Sequence, residues 1–172
     1  REPVAFFAYP DKPSLLVDPD STSTQLVKTE EDIEAALEAL AVELDCLDLE
    51  PAGVAQPYRP PLPTGEITKE AIAAVLGAML PEGAIVVDES VTTGREFFPV
   101  TAGAPPHDWI NNRGGSIGYG LPVAVGAAIA CPDRKVIALE GDGSCMYTVQ
   151  SLWTMARENL DVTVMVFANG TY

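Results

Sequence analysis

A glycine-flanked aspartate and an asparagine 27 residues beyond it are the residues of this 172-residue chain best placed to do chemistry. Gly141-Asp142-Gly143-Ser144 follows the apolar run 136–140, and Asn169-Gly170 follows the apolar run 162–168. A carboxylate and an amide oxygen form a hard oxygen set, suited to Mg²⁺ or Ca²⁺ and poor for zinc. Two oxygens are too few to hold Mg²⁺ alone, and that ion completes its shell with substrate phosphates and water. Gly141 and Gly143 let the backbone approach a phosphate, while Ser144 and the start of the following helix offer N–H and O–H donors. The combination points to a metal-bridged diphosphate. An acidic chain can bind one because the metal and the helix N-terminus supply local positive potential. For Gly-Asp-Gly by itself the alternative is a tight turn in which Asp142 caps a helix. The Asn-Gly at the end of the next strand weighs against it.

The elements that must position these residues alternate in type. Apolar runs at 84–88, 109–110, 136–140 and 162–168 read as strands, and segments at 68–79 (capped by Thr68), 95–98, 120–130 and 147–157 read as helices. Apolar strands alternating with helices predict an α/β fold, a doubly wound parallel sheet covered on both faces. Ligands of such sheets collect beyond the carboxyl ends of the strands. If strands 136–140 and 162–168 are neighbours, their ends lie about 5 Å apart, and Asp142 and Asn169 face one small site.

The first third of the chain is different. Residues 4–8 and 15–17 read as short strands, and Ile33, Ala36, Leu37, Leu40, Leu44 and Leu47 recur at helical spacing with acids on the other face. Residues 51–65 carry five prolines and two glycines, which predicts an extended Pro-rich linker. The expected organisation is the tail of a preceding α/β domain over 1–50, the linker 51–65, and a diphosphate-binding domain over 66–172. With no Met at its start and an apolar run just before its end, the chain reads as a piece of a longer protein.

Composition removes several classes. Residues 1–50 hold 13 acids against 3 bases, the whole chain carries −15, and no Lys/Arg stripe appears, so no nucleic-acid partner is expected. The longest nearly uncharged apolar stretch, 119–131, has 13 residues, short of the about 20 a membrane span needs. Cys46, Cys131 and Cys145 are odd in number and widely spaced, and His107 is the single histidine. Buried free thiols in a reducing compartment are expected, not zinc or disulfides. His107 reads as a loop-anchoring or surface histidine, and Arg113 as either a carboxylate partner or an ordinary ion-pairing residue.

Gly141-Asp142-Gly143 with Asn169 resembles the binding motif of thiamine-diphosphate enzymes. Within them the chain is similar to the group of acetolactate synthase, benzoylformate decarboxylase and pyruvate decarboxylase. The wording of 116–122 and 141–144 is most similar to acetolactate synthase large subunits. The resemblance implies the thiamine-diphosphate-binding fold, incomplete over 66–172. It also implies that Asp142, the Asn169 side chain and the Thr171 carbonyl hold Mg²⁺, and that Gly143, Ser144 and Thr92 contact the diphosphate. Ile117 would be the wedge that bends the cofactor, with plain core packing as its alternative, and the Gly115 carbonyl would accept from the aminopyrimidine. Where the family motif usually ends in two asparagines this chain has Ala168-Asn169, so the ligand survives and a supporting hydrogen bond is lost.

The activity implied is thiamine-diphosphate- and Mg²⁺-dependent decarboxylation of a small 2-oxo acid followed by carboligation. Benzoylformate decarboxylase-like decarboxylation, or a non-catalytic subunit retaining the cofactor fold, are the alternatives, Ala168 being the local hint for the last. The resemblance further implies a cytoplasmic homodimer or homotetramer, an activating glutamate outside this chain, an inactive isolated piece, and FAD as possible in relatives but unsupported by residues here.

Overall fold

The computed structural model describes residues 10–112 and 114–169, in two compact units that divide between Val54 and Ala55. The strand expected at 4–8 lies outside the described residues. At 15–17 there is no strand, only a single bridge at Leu15.

In the first unit, helix α1 spans Ile33–Glu43. Asp32 caps it, its Oδ1 accepting from Ala35 N–H at 3.1 Å. The apolar spacing runs on to Leu47, but the helix stops earlier because Asp45 takes a left-handed φ of +53°. Cys46 N–H then donates to Ala41 O at 2.9 Å and Asp45 N–H to Val42 O at 3.0 Å. That paired closure satisfies the last free carbonyls and ends the helix.

The second unit is the α/β body. Its helices are α2 (Lys69–Met79), α3 (Phe97–Val100), α4 (Gly120–Ala130), α5 (Asp142–Cys145) and α6 (Ser151–Arg157). Its strands are β1 (Ile85–Glu89), β2 (Asp108–Asn111), β3 (Val136–Gly141) and β4 (Val162–Phe167), all parallel, in the order β2-β1-β3-β4. Thr68 caps α2 as its position before the apolar periodicity predicts, accepting from Ala71 N–H at 3.1 Å. Residues 55–65 run extended against this body. Tyr58 N–H donates to Gly103 O at 2.8 Å, and the Arg59 guanidinium donates to Ala78 O at 2.5 Å.

Strand alternation splits the core in two. Ile85, Val87, Val136 and Ala138 pack on one face with Leu121, Ala124 and Ala128 of α4 and Met155 of α6. Ala84, Val86 and Leu139 pack on the other with Ala73, Leu76 and Leu80 from the α2 region and Phe97 of α3. Both sheet faces are thus covered, which is why the strands read as nearly continuous apolar runs. The chain leaves β1 toward β2 and then returns to add β3 on the other side of β1, so the switch in direction falls between β1 and β3.

In the second unit the segment 147–157 differs from its sequence reading. Residues 147–157 do not form a single helix; α5 ends at Cys145 and α6 begins only at Ser151. Thr148 and Val149 are β-branched and poor helix formers. The Thr148 hydroxyl is instead committed to Gly118 O at 2.8 Å.

Candidate functional site

At that switch point, beyond the carboxyl ends of β1 and β3, lies a cleft of about 820 Å³. Small-molecule sites typically enclose about 300–1,000 Å³ and favour this position in doubly wound sheets. Asp142, Gly143, Ser144 and Asn169 are among the residues that line it, together with Thr92, Gly115 and Ile117. All seven candidate residues within the described chain therefore share one cavity. Thr171, the remaining candidate, lies outside the described residues, as does Arg113.

The Asp142–Asn169 pairing follows from strand register. Gly141 is the partner of Phe167 on the last rung between β3 and β4. Asp142 and Asn169 follow one and two residues later, where both chains leave the sheet. Asp142 Oδ1 accepts from Gly143 N–H at 3.1 Å, which turns the backbone into α5. The Ser144 hydroxyl donates to Gly141 O at 3.1 Å and lies 3.4 Å from Glu89 O. Offering that proton to a phosphate oxygen requires exchanging these bonds. Among the described residues no group of three His, Cys, Asp or Glu forms a metal cage. A cation here would rest on Asp142, the Asn169 amide oxygen and oxygens brought by a ligand.

Ile117 is 57% exposed and faces the cleft, so it is not a core residue. The loop that carries it is braced at both ends. Asn112 accepts from Ser116 N–H at 3.1 Å and donates to Ser116 O at 2.9 Å. Further along, Gly118 N–H donates to Glu89 Oε1 at 2.5 Å and Gly120 N–H to Glu89 Oε2 at 2.7 Å. Val91, beside Thr92, holds a φ of +47°, a left-handed conformation strained for a β-branched residue.

Beside the cleft sits a group of carboxylates that sequence reasoning missed. Glu89 is 3% exposed and Glu140 fully buried. Among the described residues both Glu140 oxygens lack a hydrogen-bond partner. Burial first, then the charges of Glu89 and Asp88, push its carboxyl up to about 8, so it is neutral at pH 7. Burial, followed by Asp88, Glu89 and Glu140, also raises Tyr119, whose hydroxyl donates to the carbonyls of Asp88 and of Ile110. Cys145 is raised by burial and then by Glu140 and Glu89, which makes it a poor nucleophile. The signal for Glu140 was present in the sequence: it ends the apolar run 136–139 at an inward-facing position. His107 anchors its own loop, with Nδ1 2.7 Å from Pro105 O, and does not line the cleft.

Residues 93–172 match the thiamine pyrophosphate enzyme C-terminal TPP-binding domain. Over its full length the chain is 53% identical to a protein assigned as acetolactate synthase large subunit IlvX of Mycobacterium tuberculosis, of which it spans 33%. It is 36% identical over 108 residues to benzoylformate decarboxylase of Pseudomonas aeruginosa, covering 63% of this chain and 20% of that one. Among solved structures it resembles the thiamine diphosphate-dependent 4-hydroxybenzoylformate decarboxylase of Rhodococcus jostii. That match has a TM-score of 0.62 and 31% identity over 80% of this chain and 26% of the other. The chain thus spans at most about a third of the length of these relatives.

Proposed function

For a chain whose residues 93–172 match the thiamine pyrophosphate enzyme C-terminal domain, we propose that the cleft between β1 and β3 is the diphosphate half of a thiamine diphosphate site. The observation that carries this reading is the convergence of Asp142, Gly143, Ser144 and Asn169 with Gly115 and Ile117 in one cavity of suitable size. Asp142 and the Asn169 side chain would hold Mg²⁺, with the Thr171 carbonyl as third protein ligand. Gly143, Ser144 and Thr92 would hold the diphosphate, and the Gly115 carbonyl would accept from the aminopyrimidine. Ile117 presents an exposed apolar side chain to the cavity, suited to prop a bent ligand. When bound, thiamine diphosphate supplies the electron sink that decarboxylation of a 2-oxo acid requires.

The chain's own residues divide the work. The glycines let the main chain close on the diphosphate, and Asp142 with Asn169 fixes the cation and hence the orientation of the phosphates. Glu89 lines the cleft, but both its oxygens already accept backbone N–H bonds, and Glu140 is fully buried and does not line the cleft. Neither is proposed as the activating acid, which is expected elsewhere in the full-length protein.

The activity proposed is decarboxylation of a small 2-oxo acid followed by carboligation, as in acetolactate synthase, carried out by a cytoplasmic homodimer or homotetramer. The 53% identity over the whole chain supports this over the decarboxylase reading. No nucleic acid or membrane partner is proposed; among the described residues no helix is long and apolar enough to cross a membrane. The test supplies pyruvate, thiamine diphosphate and Mg²⁺ to the full-length protein and measures CO₂ with its co-product. One acetolactate per CO₂ is expected. CO₂ accompanied by acetaldehyde would move the protein to the decarboxylases, and the absence of any thiamine diphosphate-dependent binding would overturn the site.

A further inference from the structure

Resting on the cofactor reading above, we propose that Glu89 is the positioning residue for Ile117, a buried carboxylate that reaches out of β1 and holds the loop 114–120 by its main chain. The side chain of Ile117 is exposed in the cleft and so cannot fix its own height by packing. Its position is set by the backbone that follows it. There, Glu89 Oε1 accepts from Gly118 N–H at 2.5 Å and Oε2 from Gly120 N–H at 2.7 Å. These bonds are charge-assisted and buried, the kind that costs most to lose.

The connection between α5 and α6 leaves Gly118 little room. It sits at a φ of +86°, and a Cβ there would meet Tyr147 Cβ at 2.5 Å. Its carbonyl accepts from the Thr148 hydroxyl at 2.8 Å. Gly118 is thus gripped on its donor side by Glu89 and on its acceptor side by Thr148. Gly120 is the first residue of α4, whose N-cap residue Tyr119 makes no side-chain capping bond. Glu89 therefore also supplies a helix-start acceptor from a different strand, where a negative charge is favoured. A strand-end carboxylate thereby couples the sheet to the arm of the cleft that carries Ile117. A glutamine in its place keeps one acceptor but turns an amide NH₂ toward the second N–H, so the grip should weaken in the order Glu, Gln, Ala.

The test is amide hydrogen exchange of the full-length protein, wild type against Glu89→Gln, Glu89→Ala and Thr148→Val, without ligand and with thiamine diphosphate plus Mg²⁺. Without ligand, Glu89→Gln should speed exchange across 114–121 by about tenfold, and Glu89→Ala by more, while the centres of β1 and β3 stay unchanged. Thr148→Val, which keeps volume and removes only the hydroxyl donor, should do the same to a smaller extent. With ligand, the wild type should be protected in both 114–121 and 141–147, and Glu89→Gln in 141–147 alone. Unchanged exchange in 114–121, faster exchange spread evenly through the sheet, or full ligand protection of 114–121 in Glu89→Ala would each overturn the positioning role. A wild type that thiamine diphosphate fails to protect anywhere would instead overturn the cofactor reading, and the ligand-free data would still judge the grip on the loop.

Discussion

Glu89 and Glu140 stand directly opposite one another on the adjacent parallel strands β1 and β3, both buried, and among the described residues only the side chain of Glu89 has hydrogen-bond partners. Two carboxylates in that arrangement cannot both carry charge at modest cost. Glu89 accepts two backbone N–H bonds, whereas burial and the neighbouring carboxylates leave Glu140 to stay neutral.

The pair makes stability depend on pH with a definite sign. The Glu140 carboxyl is pushed from its ordinary value near 4.5 up to about 8 in the folded protein. Between those values the folded chain keeps a proton that the unfolded chain has released. Its contribution is therefore fully present below about 4.5, is lost as pH rises toward about 8, and changes little above that. Glu140→Gln, an isostere of the neutral acid, removes this loss. Denaturant unfolding without metal should find the variant about as stable as wild type at pH 5 and more stable by on the order of a few kcal/mol at pH 8 to 9. A constant difference across pH would show that Glu140 does not titrate in this window.

How much of this was legible beforehand depends on the range of the interactions. The convergence of Asp142 and Asn169 on one cleft was readable because Gly-Asp-Gly and Asn-Gly each terminate an apolar run, and a parallel sheet brings such ends together. Thr68 as a helix cap was equally readable, because the capping bond spans three residues. The break between α5 and α6 was not, since it is set by Thr148 bonding to Gly118, 30 residues away. Of the buried carboxylates, Glu140 left a trace in closing the apolar run 136–139, but the contacts that enclose the pair are long-range. Glu89 and Glu140 sit at strand ends, where a sequence suggests exposure, yet Gly120 at the start of α4 lies close against both.

Asp142→Asn tests the proposed metal site. The substitution keeps the size and the oxygen that accepts from Gly143 N–H, and removes the negative charge. A hard divalent cation loses most of its protein-borne charge at this site. Calorimetry on the full-length protein should find Mg²⁺-dependent thiamine diphosphate binding weakened by at least about tenfold. Unchanged affinity would remove Asp142 as a ligand.

Ile117→Gly separates propping from binding. Because the side chain is exposed in the cleft, its loss leaves no core cavity and the fold should be retained. Turnover should fall by more than cofactor affinity does, since the diphosphate side of the cleft is untouched. Steady activity with weaker binding would show that Ile117 only adds contact area.

Gly120→Ala probes the enclosure of the carboxylates. An added Cβ would come within 2.1 Å of Glu140 Oε1, 2.9 Å of its Cδ and 3.0 Å of Glu89 Oε2. Glu140 is fully buried and cannot swing aside into solvent. The clash should therefore destabilise the protein by about 1–3 kcal/mol, the usual range for overpacking. The double variant Gly120→Ala with Glu140→Ala opens the space that the new methyl needs. It should be more stable than the sum of the two single variants predicts, because the sites are in contact. Denaturant midpoints of the four proteins complete the cycle. Additivity would mean that α4 shifts away from the sheet to absorb the methyl, and that Glu140 is not what demands glycine at this position.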